Sequence, residues 1–236
     1  MILADPLVDW GWLGLHLSQI AHLAVQHIEL TAIAVVFGSV IAFPLAILSY
    51  GHRRVYGPVS AFASLLYTIP ALALFAFLVP YTGLSTLSAE IGLVSYTLLI
   101  IIRNTVAGLD VVPADIREAA RGVGYSERQL FWRVELPLAL PVIIAGVRIA
   151  TVTTIGLVTV TALIGQGGLG SYIILGIQQS FATPALAAAV GSVVLAAGAD
   201  ILLLGVQKAL TPWTRRAQQD IPIETKGELL ALATKG

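Results

Sequence analysis

The spacing of ionisable residues divides the chain before any other feature does. Residues 30–51 carry none, residues 55–89 carry none, and residues 149–199 carry none. A helix crossing the ~30 Å hydrocarbon layer needs about 20 mostly apolar residues, because each adds about 1.5 Å and every backbone group must be bonded within the segment. The first interval is therefore one span. The second holds another, followed by an outer turn at Pro80-Tyr81-Thr82-Gly83. A third span is read over residues 88–108, where residues 91–102 separate Glu90 from Arg103. The last interval holds the rest of a fourth span beginning near Leu138, a loop over residues 165–184 rich in Gly, Gln and Ser, and the start of a fifth. Pro44 and Pro70 are expected to kink their helices.

Upstream of the first span, Trp10, Trp12, Leu13, Leu17, Ile20 and Leu23 recur at near-helical spacing with Trp at one end. That pattern fits either a helix lying in the outer interface or an ordered extension of span one. Residues 1–29 contain no Lys or Arg, so no cleaved leader is expected. From Thr211 onward the chain is polar and interrupted by Pro, which predicts a cytoplasmic tail. The organisation is thus an N-terminal or outer interfacial segment (1–26), a membrane domain (27–210) and a tail (211–236).

Composition agrees with this division. Hydrophobic residues make up 57% and charged ones 11%, against about 25% charged in an ordinary soluble domain, and the mean hydropathy is +0.90. The class is an all-α polytopic membrane protein with about five spans. Thirteen basic and thirteen acidic residues leave no net charge, so nothing points to nucleic acid. Cysteine is absent, which excludes disulfides and thiolate chemistry. The basic residues also orient the chain. Twelve of the 13 (Arg53, Arg54, Arg103, Arg117, Arg121, Arg128, Arg133, Lys208, Arg215, Arg216, Lys226 and Lys235) fall on one side of the spans, while the opposite segments hold only the acids Asp5, Asp9, Glu29 and Glu90. Lys and Arg accumulate in cytoplasmic loops, so the N-terminus is expected outside and the C-terminus inside.

Residues 104–136 are the one long polar stretch within the membrane region, and their pattern reads helix, glycine turn, helix. Pro113 suits a first turn, Asp115 and Glu118 complement the helix dipole, and Gly122 or Gly124 can close the helix. Ser126 with Gln129 has capping-box spacing, Leu130, Phe131 and Val134 make an apolar ridge, and Pro137 is expected to end that helix at or before Leu136. Within this stretch Glu118-Ala119-Ala120, then Gly124, Val134 and Leu136-Pro137 stand at fixed offsets. They resemble the signature loop of ATP-binding-cassette importer permeases, with Val134 where Ile is usual.

The resemblance extends over about residues 27–211. His27-Ile28-Glu29-Leu30-Thr31, Pro44-Leu45-Ala46-Ile47, Thr68-Ile69-Pro70-Ala71-Leu72-Ala73-Leu74, Arg103-Asn104-Thr105, residues 135–148 and Ile164-Gly165-Gln166-Gly167-Gly168-Leu169-Gly170 are together similar to permeases that import osmoprotectants. It departs at Ala71, where Ser is usual, and at Ala46, where Gly is usual. It implies a type I importer permease fold, MetI-like, and a cargo such as glycine betaine, carnitine, choline or proline. The implied partners are a second permease chain, the same or homologous, two cytoplasmic ATPase subunits, an external substrate-binding protein and the lipid bilayer. Glu118, Ala119, Ala120, Gly124, Leu136 and Pro137 would then couple the chain to its ATPase. The chain has no Gly-Lys-Ser/Thr phosphate loop, so it is expected to bind no cofactor and catalyse nothing itself, ATP and Mg being held by the partner.

Other candidates are weighed on their chemistry. Gly165, Gly167 and Gly170 match the spacing of a dinucleotide-binding turn, but no acid follows until Asp200 and the flanks are too long and apolar for a soluble unit. His16, His22 and His27 lack the four-residue spacing of helical metal ligands, and no metal site is expected. Arg148 and Asp200 lie deepest in the spans, where an unpaired charge costs at least ~2.5–3.5 kcal/mol. Each sits roughly 12–15 Å from the same membrane side, which predicts an intramembrane pair. Tyr67, Thr68, Pro70 and Asn104 are candidates for the translocation path, with Thr151, Thr154 and Ser192 serving either the path or helix packing. Rival readings keep the machine and change the cargo to methionine, another amino acid or a small cationic metabolite, or take the chain as a membrane-embedded enzyme or a scaffold.

Overall fold

A computed structural model describes residues 7–214. Residues 1–6 and most of the expected tail, 215–236, lie outside the described residues. The elements in order are α1 (Trp10–Gly51), α2 (Arg53–Thr68), α3 (Ala71–Thr82), α4 (Thr86–Asp110), α5 (Ala114–Gly122), α6 (Glu127–Leu130), a π-helical turn (Phe131–Glu135), α7 (Leu136–Thr161), a 3-10 turn (Ala162–Ile164), α8 (Gly170–Gln179) and α9 (Ala182–Leu210). No strand occurs among the described residues.

Of the two readings open for the Trp-rich N-terminal segment, the structure holds the extension of span one. α1 is a single helix of 42 residues, about 63 Å at 1.5 Å per residue, roughly twice the hydrocarbon thickness. Asp9 starts it: the carboxylate accepts the Trp12 N–H at 2.9 Å, and the Asp9 N–H donates to Thr183 Oγ1 at 2.8 Å, tying the starts of α1 and α9 together. Trp12 stacks on His16 at 4.0 Å and meets Tyr172 and Phe181 at 5.4 and 5.8 Å.

α1, α4 and α7 form the centre. Along α1 the buried positions include Ala34, Gly38, Ala42 and Ala46, a ridge of small residues four apart that lets neighbouring backbones approach where lipid supplies no hydrophobic drive. The core stacks in tiers. Leu30, Ala34, Phe75, Leu93 and Val158 fill one end, Ala42, Ala46, Ile101, Ile102 and Ala150 the middle, and Leu109, Ala139 and Ile143 the other, which carries α5 and α6 and is here termed the loop end. α4 and α7 meet closely at Gly146, where a Cβ would lie 2.3 Å from Asn104 Cβ. His27, fully buried, bridges three elements: Nε2–H donates to the Ile155 carbonyl at 2.8 Å and Nδ1 accepts the Leu169 N–H at 3.3 Å, the tautomer following from the partners. α9 covers α7 and α8, and its Val190, Val193, Ile201, Leu202 and Val206 face outward, as a helix bordered by hydrocarbon requires.

Four expectations are corrected. Span two is not one continuous helix: α2 and α3 meet at 94°, because Ile69, preceding Pro70, is forced out of the helical region to φ −64°, ψ 128°. The helix beginning at Glu127 does not end before Pro137 but runs to Ile164 as one apolar segment. A π turn, with the Leu136 N–H reaching Phe131 O, widens the backbone just before the proline and absorbs its ring. α4 extends to Asp110, so the polar connector starts after residue 110 rather than at Asn104. The loop over 165–184 contains α8, a ten-residue helix whose Tyr172, with Leu169 just before the helix, buries against Trp12, Ile20 and Leu23. Tertiary burial decides that helix where the local Gly and Gln content argues against it. Counting the bent α2–α3 pair as one, five segments among the described residues are long and apolar enough to cross a membrane.

Two outcomes follow from these seams. Gly146→Ala should destabilise the chain by about 1–3 kcal/mol, read as a lower unfolding midpoint in detergent, and Asn104→Gly in the same chain should recover part of the loss because the clash is with that Cβ. His27→Phe strands the Leu169 N–H, so hydrogen exchange at that amide should accelerate while α4 amides keep their protection.

Candidate functional site

The loop end is organised by one carboxylate. Glu135, in the π turn, is 6% exposed and collects groups from two directions. The Tyr50 hydroxyl at the end of α1 donates to Oε1 at 2.9 Å. Arg117 of α5 makes an ion pair, Nε to Oε1, at 2.9 Å, with the Nε–H off the hydrogen-bond line. The same guanidinium lies over the Tyr50 ring, 5.9 Å from its centre, and donates through Nη2 to the Leu109 carbonyl at 2.8 Å. That last bond has a local cause. The carbonyl of Leu109 would normally take the N–H four residues on, but residue 113 is proline and has none, so Arg117 fills the vacancy at the end of α4. Both Leu130 and Glu135 are buried. Five residues apart, they would diverge on an ordinary helix, and the wider π turn draws them to one side.

Outside this knot, α5 and α6 form an elbow. α5 ends in a Schellman arrangement, Tyr125 N–H to Ala120 O and Gly124 N–H to Arg121 O, and Gly124 takes φ +91°, which a side-chain-bearing residue rarely adopts. α6 opens with the Ser126–Gln129 capping box. Arg121 and Glu127 close the elbow at 2.8 Å, an exposed pair that solvent screens and that adds little.

The six signature positions separate by face. Glu118, Ala119 and Gly124 are exposed on the outer side, Ala120 is buried beneath α5, and Leu136 and Pro137 are half-buried at the start of α7. The small side chain at Ala120 therefore allows α5 to lie close on its own bundle, with Arg117 three residues before it on the same side. Val123 and Trp132 add exposed apolar surface to the elbow.

The intramembrane candidates also divide. Arg148 and Asp200 meet on antiparallel α7 and α9: Nε to Oδ1 at 3.0 Å and Nη2 to Oδ2 at 2.8 Å, with Nη1 donating to Gln207 Oε1 at 3.0 Å. Gln207 in turn donates to the Pro141 carbonyl at 3.1 Å. Asn104 packs in the α4–α7 seam and donates to Ile100 O, so it sits between helices. Thr68, Thr151, Thr154 and Ser192 each donate to the carbonyl four residues earlier, which satisfies the hydroxyl without a partner helix. Thr151 borders an apolar groove of about 560 Å³ between α1, α7 and α9. Tyr67 and Thr68 are exposed on α2, and Pro70 is exposed at the break.

Of the knot, Tyr50 has no mark in the sequence, Arg117 is one charge among several in the connector, and Glu135 is marked only as the first residue of the stretch 135–148. The available signal was Pro113, which removes a donor from the end of α4 and so calls for a replacement. Near the opposite end, both carboxylate oxygens of Glu90 are shielded and unbonded among the described residues. His16 and His22 engage Trp12 O and Gln26, respectively.

Comparison with known proteins places this architecture. Residues 34–216 match the family described as binding-protein-dependent transport system inner membrane component. The osmoprotectant import permease protein OsmW of Salmonella typhimurium (strain LT2) is 40% identical over 198 residues, 82% of this chain and 92% of that protein. The choline transport system permease protein OpuBB and the glycine betaine/carnitine/choline transport system permease protein OpuCB, both of Bacillus subtilis (strain 168), are each 34% identical, over 83% and 79% of this chain and 90% and 86% of theirs. A solved chain from the methionine ABC transporter MetNI, in an inward-facing conformation, superimposes with a TM-score of 0.71 at 23% identity, covering 81% of this chain and 96% of that one; at that identity the likeness speaks for the fold. By family match and by relatives aligned over most of their length, the chain belongs to the binding-protein-dependent transport system inner membrane components and is a multi-pass permease subunit of an ATP-binding-cassette importer.

Proposed function

We propose that this permease, paired with a second chain of the same or a homologous kind, forms the membrane path for osmoprotectants such as glycine betaine, carnitine, choline or proline. The elbow of α5 and α6 docks on a cytoplasmic ATPase, one ATPase per permease chain, and a substrate-binding protein delivers the solute at the opposite end. ATP and Mg belong to the ATPase, and this chain performs no hydrolysis. The cargo reading is supported by the relatives, which carry osmoprotectant, choline or carnitine in their names at 34–40% identity. The orientation is supported by the basic residues Arg53, Arg54, Arg117, Arg121, Arg128 and Arg133 gathered at the loop end, a cytoplasmic pattern.

The observation that carries the coupling reading is the two-sidedness of α5. Its inner side is anchored through Arg117 and buried Ala120, while its outer side offers Glu118, Ala119 and Arg121 to solvent with no described partner beyond Glu127. A surface helix held this firmly from below can move only with the helices beneath it. A push on its outer side therefore reaches α1, α4 and α7.

Two substitutions test this on the complex reconstituted in liposomes with its ATPase and substrate-binding protein. Ala120→Pro removes the α5 backbone bond at that position and clashes one turn back, a cost of about 3 kcal/mol or more within the helix. Glu118→Lys reverses charge on the outer side alone. ATP-driven uptake of glycine betaine should be lost in the first and reduced in the second, with membrane insertion of both unchanged. Uptake at the wild-type rate in both would contradict the docking role.

A further inference from the structure

On α2, Ser60, Ser64, Tyr67 and Thr68 recur at spacings of four, three and one, which places them on one side of the helix. From the neighbouring α4, Arg103 reaches across to this side. Its Nη2 donates to Ser64 Oγ at 3.0 Å and its Nε to Ser60 Oγ at 3.5 Å. Ser64 spends its own proton on the Ser60 carbonyl at 2.7 Å, leaving its oxygen free to accept. Two turns along α4, Tyr96 stands edge-on to Tyr67 with ring centres 5.8 Å apart, and its hydroxyl is fixed on the carbonyl of Ile69, at the α2–α3 break.

Arg103 is exposed and seven residues inside the end of α4 at Asp110, about 10 Å from that end. No carboxylate pairs with it among the described residues, unlike Arg53, Arg117, Arg121 and Arg148, each of which has an acid partner. A guanidinium offers five N–H donors, and the two serines take two. A cation with unspent donors at that depth is strongly disfavoured against lipid and belongs on a hydrated wall or against an anion. Its fork matches the geometry of a carboxylate. Ser64 and Tyr67 are three residues apart, about 4.5 Å along the helix, so the guanidinium and the exposed face of Tyr67 lie within reach of a single small zwitterion, whose quaternary ammonium suits an aromatic face.

We infer that Arg103, positioned by Ser60 and Ser64, is a carboxylate-binding residue on the translocation wall, and that Tyr67 receives the cationic end of the same solute. This rests on the osmoprotectant reading and refines it: the site favours solutes that carry both a carboxylate and a quaternary ammonium over choline, which has a hydroxyl in place of the carboxylate.

The test is uptake of labelled glycine betaine and of labelled choline by the reconstituted complex carrying wild-type permease, Arg103→Gln or Arg103→Lys. Loss of one charge-assisted contact should cut glycine betaine uptake about tenfold in Arg103→Gln and leave choline uptake within about twofold. Equal loss for both solutes would overturn the inference and make Arg103 a prop between α2 and α4. A wild-type complex that carries choline and no glycine betaine would also overturn it while leaving the osmoprotectant reading standing; a complex carrying neither would remove that reading as well. Where glycine betaine alone is carried, Arg103→Lys decides: uptake clearly above that of Arg103→Gln supports the anion contact, and uptake no better than Arg103→Gln refutes it.

Discussion

A carboxylate that stays charged out of water at the mouth of a membrane bundle needs partners, and how Glu135 is paired determines what the loop end can do. Removing one partner from a buried ion pair costs about 3–5 kcal/mol, because the charge left behind stays desolvated. Glu135 meets that demand with Arg117 from the connector and Tyr50 from the end of α1. Arg117 is committed a second time to the Leu109 carbonyl, orphaned by Pro113. Four segments, α1, α4, α5 and the π turn before α7, thus share one polar node. The elbow that Gly124 and the Ser126 capping box shape is fastened to the spanning helices at that node and by the continuous helix that runs from Glu127 into α7.

That fastening gives mechanical meaning to the division of faces on α5. The contacts beneath it resist displacement relative to the bundle, whereas the exposed Arg121–Glu127 pair outside it is weak and salt-screened. Further along, the α1 ridge at Ala34, Gly38, Ala42 and Ala46 and the Gly146 contact bring backbones close. A tight seam transmits a rotation better than one filled with flexible side chains, since close-packed interiors yield little. The Arg148–Asp200–Gln207 chain of hydrogen bonds adds a polar tie between α7 and α9 at mid-depth. The α2 wall with Arg103 lies apart from these ties.

Much of this was legible because it depends on near neighbours. Charge-free intervals marked the spans, the offset of Ser126 from Gln129 marked a helix start, and counting residues from the span ends set Arg148 and Asp200 at one depth, since helical rise converts sequence distance into height. What was hidden depends on partners far along the chain or on backbone departures from the regular helix. Pro137 carries a stop signal, and only the π turn before it explains why the helix continues. Pro70 signals a kink, and nothing nearby says that the kink amounts to a 94° break. α8 draws its stability from Trp12, Ile20 and Leu23, about 150 residues upstream. Glu135 looked like one more loop charge because Tyr50 is 85 residues away. Ala120 matched a signature position, yet the face it occupies follows from where Arg117 is anchored.

Through the Glu135 node the elbow and the spanning helices move together. The most direct test of that coupling is the number of ATP molecules hydrolysed per solute imported by the reconstituted complex with Glu135→Gln, which keeps the shape and removes the charge. If the node transmits the motion, hydrolysis persists while import falls, and the ratio rises well above that of the unaltered complex. A ratio equal to the unaltered one, with both rates preserved, would contradict it.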